Sequence, residues 1–120
     1  MRFMIIHKSD EANEAGIPPS KELIEGVGRV LGEAAQQGVL LAGEGVHASS
    51  KGARLSYSGG KFTVTDGPFA EAKELIAGFV IVDLPSKQDA IEWAKRYAEV
   101  LGEVEIEIRQ VVEAADLPSV

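Results

Sequence analysis

Hydrophobic and polar positions along the chain predict strand, helix, strand, hairpin, strand, helix, strand. Residues 3–8 read as a strand that is apolar on both faces, with Phe3 and Ile5 pointing one way and Met4 and Ile6 the other. Residues 9–19 are polar, carry Gly16, Pro18 and Pro19, and read as a loop. Ser20 stands where an N-cap belongs, and the spacing of Leu23, Val27, Val30, Leu31 and Ala34 predicts a helix to about residue 37 with one buried stripe. Gly26, Gly28 and Gly32 each cost that helix ~1 kcal/mol against Ala, and close packing on a sheet or tolerated weakness explains them better than a hinge.

Gly38 suits the position after the helix, and residues 39–42 follow as a short strand. Residues 43–52 are small, polar and glycine-rich, the pattern of a loop. Two β-prone runs, 54–57 and 61–65, flank Ser58-Gly59-Gly60 and predict a hairpin. Asp66-Gly67-Pro68-Phe69 predicts a turn, residues 70–75 a helical turn, and residues 79–84 a second strand apolar on both faces. Ser86 caps a second long helix with Asp89 in the manner of a capping box, and Ala90, Trp93, Ala94, Tyr97 and Leu101 form its core stripe up to Gly102. Residues 104–112 alternate, with Val104, Ile106 and Ile108 opposite Glu105, Glu107 and Arg109.

This order is that of an α+β, ferredoxin-like sandwich with an inserted β-hairpin. Two helices cover one face of such a sheet, yet two strands are apolar on both faces. An uncovered apolar face calls for a partner, and a second copy of the same sheet is the simplest one. The expectation is a homodimer.

Composition narrows the function. A chain of 120 residues makes one domain, expected over residues 1–112 with residues 113–120 as a loosely held tail. The net charge of −7 disfavours nucleic acid as a partner. The absence of cysteine excludes disulfides, thiolate metal sites and Cys nucleophiles. No apolar run approaches the ~18–20 residues of a membrane span and no secretory signal is visible, so the expected location is cytoplasmic, with no membrane partner.

The segment Thr63-Val64-Thr65-Asp66-Gly67-Pro68-Phe69-Ala70-Glu71-Ala72-Lys73-Glu74 resembles the motif of the DGPF domain, part of the YCII-related group. Met1-Arg2-Phe3-Met4, Glu14-Ala15-Gly16-Ile17-Pro18-Pro19-Ser20, Gly43-Glu44-Gly45-Val46-His47, Ser49-Ser50-Lys51-Gly52-Ala53-Arg54, Ile76-Ala77-Gly78-Phe79 and Ala90-Ile91-Glu92-Trp93-Ala94 extend the likeness over almost the whole chain. The resemblance implies a dimeric α+β barrel in which two ferredoxin-like sheets pack face to face. It also implies either a small enzyme with an acid/base pair in a cleft or a regulatory dimer keeping company with an extracytoplasmic-function sigma factor.

Candidate chemistry concentrates in the two loops. Asp66 reads either as a general acid or base, which requires a dry cleft, or as the residue that folds its own turn. His47 carries the group whose ordinary pKa, ~6.5, suits proton transfer, and Glu44 three residues earlier is placed to orient it. Glu44-x-x-His47 supplies only two metal ligands, short of the three a catalytic zinc needs, so no metal and no cofactor are expected. Lys73, Lys8 and Arg54 are candidates to receive an anionic substrate, or are ordinary surface cations. His7 continues the Phe3–Ile5 face. The resemblance implies an apolar residue there, so it reads as a core or rim histidine. Two functions follow: a cofactor-free isomerase or lyase acting on a small anionic or phenolic metabolite, with Asp66, His47 and Glu44 moving protons, or a non-catalytic small-molecule-binding or regulatory dimer.

Overall fold

The computed structural model describes residues 1–118, apart from the side chain of Lys73. Its strands are β1 (Arg2–Lys8), β2 (Leu40–Gly45), β3 (Ala53–Ser58), β4 (Lys61–Asp66), β5 (Ile76–Asp83) and β6 (Ile106–Gln110). Its helices are α1 (Glu11–Glu14), α2 (Lys21–Gln36) and α3 (Lys87–Leu101). Four strands form one antiparallel sheet in the order β2-β5-β1-β6, the ferredoxin-like arrangement, and β3 pairs with β4 as a separate hairpin.

Both long helices begin at the caps that the sequence indicates. The Ser20 hydroxyl accepts from the Leu23 N–H at 3.1 Å and the Ser86 hydroxyl from the Asp89 N–H at 3.1 Å. Each satisfies a backbone donor that has no partner inside its helix. The helices cross where Gly26 meets Val100: an added Cβ would sit 2.9 Å from the Val100 side chain, so the glycine serves close packing. Alternation along β1 and β5 then sends Phe3, Ile5, Val80 and Val82 into the core against Ala90, Ala94 and Tyr97 of α3. Met4, Ile6, Phe79 and Ile81 lie on the other face, half-buried and without a helix over them.

Several boundaries differ from the sequence reading. β2 runs on to Gly45, because its partner β5 begins at Ile76 and pairs with it through Gly45↔Gly78. The loop after β1 contains α1, capped by the Asp10 carboxylate at 2.8 Å from the Asn13 N–H. The C-terminal segment is tied back by Arg2, whose guanidinium makes two bonds to the Glu113 carboxylate at 2.8 and 3.1 Å. That pairing holds the Glu113 carboxyl below the usual range.

The root of the hairpin is fastened to the loop following β1. The Glu14 carboxylate accepts from the Ser49 N–H at 2.8 Å and from the Ser49 hydroxyl, whose oxygen in turn accepts from the Phe69 N–H at 2.9 Å. The Gly67 N–H closes the ring on the Gly52 carbonyl at 3.0 Å. The Asp-Gly-Pro-Phe turn is therefore folded by Ser49 and Glu14. Among the described residues the Asp66 carboxylate, at the exposed end of β4, makes no hydrogen bond. Replacing Ser49 with Ala leaves the Phe69 donor and the Glu14 carboxylate without their shared partner and should cost about 1–3 kcal/mol. Urea unfolding measures that loss, and faster hydrogen exchange at the Phe69 amide locates it.

Candidate functional site: a cavity under helix α2

The helix-covered face of the sheet is filled at one end and hollow at the other. Three cross-sheet rows explain this. Leu40, Val82 and Phe3 form the first row; Gly43, Val80, Ile5 and Ile108 the second; Gly45, Gly78, His7 and Ile106 the third. Glycines replace side chains progressively from the first row to the third, so β2 and β5 have nothing to send up toward α2 there. The result is a cavity of about 810 Å³. Leu23, Ile24, Val27 and Leu31 of α2 roof it, Val80 and Leu101 add apolar wall, and His7 and Tyr97 supply a polar pair. A largely apolar hollow with few convergent polar groups is the usual form of a small-molecule site.

His7 reaches this place because it shares parity with Phe3 and Ile5 and because Gly78 lies opposite it. An added Cβ at Gly78 would stand 2.6 Å from His7 Cε1 and 2.8 Å from the Glu44 carbonyl oxygen, so only glycine lets the ring lie across β5. Tyr97 is delivered by the core stripe of α3, four residues after Trp93, whose ring stacks on it at 5.5 Å. The Tyr97 hydroxyl lies 3.3 Å from His7 Nδ1, with the rings edge to face at 5.8 Å.

Burial pushes the His7 imidazole below its ordinary pKa and the Tyr97 phenol above its own. Both are thus neutral at pH 7, and one hydrogen bond joins Nδ1 to the phenol oxygen, its donor set by the imidazole tautomer. Among the described residues Nε2 makes no hydrogen bond, and no buried side-chain nitrogen or oxygen is left unpartnered, so Nε2 is open to solvent.

The remaining charge is at the margin. Asp10, Glu44, Glu103 and Glu105 line the cavity against a single cation, Lys8. Lys8 also faces Glu107 across 3.6 Å; the Arg109 hydrogen bond at 3.0 Å, and then the Lys8 charge, hold the Glu107 carboxyl below the usual range.

Of the residues singled out from the sequence, Glu44 and Lys8 belong to this lining. His47 is exposed just beyond β2, and Asp66 is exposed on the hairpin opposite Ala53. Neither lines the cavity, and among the described residues no hydrogen bond or ion pair joins Glu44, His47 and Asp66. Arg54 lies on the hairpin with its guanidinium 4.0 Å over the Phe69 ring, an attraction of cation and π face that steadies the turn. The side chain of Lys73 falls outside the described residues. No group of three His, Asp or Glu side chains able to hold a metal is present among the described residues. No described helix is long and apolar enough to cross a membrane.

Sequence reading alone places Tyr97 in the core and His7 at its rim without joining them. The available signal is chemical: a phenol on a core stripe needs a partner when buried, and a histidine of core parity on the first strand is a natural one.

The His7 shift has a thermodynamic consequence. Between the unfolded value, ~6.5, and the lower folded value, the unfolded chain binds a proton that the folded chain does not. This stability is complete above the unfolded value and is lost as pH falls through the folded one. Urea midpoints should therefore drop more between pH 7.5 and 5.5 in the native chain than in His7→Phe. Equal drops would contradict a desolvated His7.

A search of curated proteins finds no match to the chain. Among solved structures, 5-chloro-2-hydroxyhydroquinone dehydrochlorinase (TftG) from Burkholderia phenoliruptrix AC1100, in complex with 2,5-dihydroxybenzoquinone, has a similar fold, with a TM-score of 0.51 at 11% identity over 96% of this chain and 97% of that chain. At that identity the likeness speaks for the fold. The YCII-related domain profile matches residues 1–115, and with that match the chain belongs to the YCII-related family.

Proposed function

We propose that the protein is a cofactor-free acid/base enzyme acting on a small phenolic metabolite in the cavity under α2, with His7 as the group that moves the proton. The observation that carries this reading is the neutral His7–Tyr97 pair in an apolar hollow. Desolvation keeps the imidazole free to accept a proton near neutral pH, and the contact with the phenol holds the ring's orientation. A proton leaves the substrate for His7 and returns to a different atom of the same molecule, which is an isomerisation. If instead an anion departs after the first step, the reaction is an elimination, and the proton held by His7 passes to water, so that the acid formed leaves as proton and anion.

Of the two substrate chemistries left open by the sequence, anionic and phenolic, the lining favours the second. Four carboxylates against Lys8 repel an anion, while the walls from α2 accept an aromatic ring. Support also comes from the shared fold of the dehydrochlorinase, which holds a dihydroxybenzoquinone. Glu44 and Lys8 contribute at the mouth of the cavity, where they would orient the polar end of the substrate.

Trp93 is the chain's single tryptophan and stacks on Tyr97, so its fluorescence reports on the cavity. Titration with hydroquinone and chlorohydroquinones should quench it saturably, with Leu31→Phe, which narrows the cavity without adding a second fluorophore, weakening the effect. Turnover of the compound that binds best should fall at least ~100-fold in His7→Phe, the usual scale of a lost acid/base group, and less in Tyr97→Phe. Binding without turnover in any compound tried would favour the alternative, a ligand-binding regulatory dimer of the kind that works beside a sigma factor. No binding at all overturns both.

We further propose that the protein is a homodimer through the open face of the sheet. Met4, Ile6, Phe79 and Ile81 make that face apolar, and no described element covers it. Sedimentation should give twice the chain mass, and Ile6→Lys should return the monomer while the helix signal in circular dichroism stays unchanged.

A further inference from the structure

The glycines of helix α2 are not alike. Gly26 is explained by its close approach to Val100 of α3, whereas an added Cβ at Gly28 or Gly32 would meet no described neighbour within 4 Å. Glycine inside a helix is less stable than alanine, so an unobstructed one needs another reason. Gly28 has one that Gly32 lacks, because it lines the cavity. The sheet below repeats the pattern. Gly43 of β2 also lines the cavity, and an added Cβ there would find only ordinary contacts, 3.7 Å from the Phe79 carbonyl oxygen and 3.8 Å from the Val80 methyls. Unlike Gly78, neither position needs glycine for the fit of its own backbone.

Both stand at the end of the cavity away from its polar pair. Gly26 faces α3, and Gly28 lies about 200° further around α2, facing away from it. β5 separates β2 from β1, so Gly43 is two strand spacings, roughly 10 Å, across the sheet from the strand that carries His7. Ile24, one turn before Gly28, adds apolar wall at this end and is 58% exposed. A single phenolic ring in reach of His7 leaves that wall without contacts, and apolar lining gains attraction only from atoms laid against it. Volume points the same way, since roughly 150 Å³ holds one benzene ring and the cavity is about 810 Å³. We propose that the substrate is a phenol bearing a second apolar ring, and that Gly28 and Gly43 determine this specificity by leaving that ring its space. The inference rests on the phenolic reading above and narrows it.

Equilibrium dialysis under argon against hydroquinone and phenylhydroquinone tests it. The native chain should bind phenylhydroquinone roughly tenfold more tightly, the scale of one further buried apolar group. Gly28→Leu, which reaches into the cavity from the helix, should bring the ratio of the two affinities to about one. Gly32→Leu makes the same change one turn further on, outside the lining, and should leave the ratio within about twofold of native. Both substitutions should hold or raise the urea midpoint, since leucine favours a helix over glycine, whereas a glycine needed for packing would lose stability. Gly43→Ala narrows the same end from the sheet and should lower the ratio about threefold, so the test does not hang on one variant. Hydroquinone binding with a native ratio near one, or equal ratios in Gly28→Leu and Gly32→Leu, overturns the second ring and leaves the acid/base reading standing. No binding of either compound removes both.

Discussion

The cavity depends on what the sheet withholds. Helix-facing positions along the cross-sheet rows pass from Leu40, Val82 and Phe3 to Gly45, Gly78 and His7, so side-chain volume runs out toward one end while α2 continues over it. Close-packed interiors do not leave such hollows by accident of shape, because lining atoms lose their contacts across a gap. Here the hollow follows from backbone pairing. Gly78 must be glycine for β2 and the His7 ring to approach it, and once it is, β2 and β5 have no side chain in that row to fill the space. The helix contacts at the other end, where Ala34, Ala90 and Ala94 are buried, hold α2 and α3 in place over the opening.

The same geometry sets the electrostatics. His7 and Tyr97 both lose water, and desolvation moves their pKa values apart, the imidazole down and the phenol up. Each shift favours the neutral form, so the pair carries no net charge and a hydrogen bond instead of an ion pair joins it. Among the described residues, charge appears where water returns, at Lys8, Asp10, Glu44, Glu103 and Glu105 along the margin. A neutral interior behind an acidic margin admits uncharged aromatic molecules more readily than anions, and a proton can move inside it without burying an unpaired charge in the resting protein.

The fold was largely legible because its determinants are local and periodic. Ser20 and Ser86 announce the helices, and Gly59-Gly60 the hairpin. Site chemistry was less legible, because it depends on which residues meet. His7 and Tyr97 are 90 positions apart and come together only through β1 and α3. The titratable loop residues Asp66 and His47 drew attention by their types, yet type says nothing about burial, and both are exposed. Glu44 was noticed for a spacing of three from His47. The strand that carries it runs further than apolar pattern suggested, since β2 is held by pairing with β5 through residues that have no side chain to show a pattern.

The segment most easily recognised in the sequence, Thr63 to Glu74, turns out to govern architecture. Its turn is held by Ser49, which is held by Glu14, one residue after Asn13 at the edge of the cavity. Three segments far apart in the chain therefore meet in one hydrogen-bonded joint, with the hairpin leaving from one side and the cavity opening on the other. A short polar joint between the hairpin and an apolar hollow demands fixed residue types at many positions. Serine must both donate and accept, the carboxylate must take two donors, and glycine must pass close to the Ser49 carbonyl. That demand accounts for a distinctive motif at this joint. It also separates two questions that the motif invites one to merge: what fixes the hairpin root is Ser49 and Glu14, whereas what the cavity can do chemically rests on His7 and Tyr97.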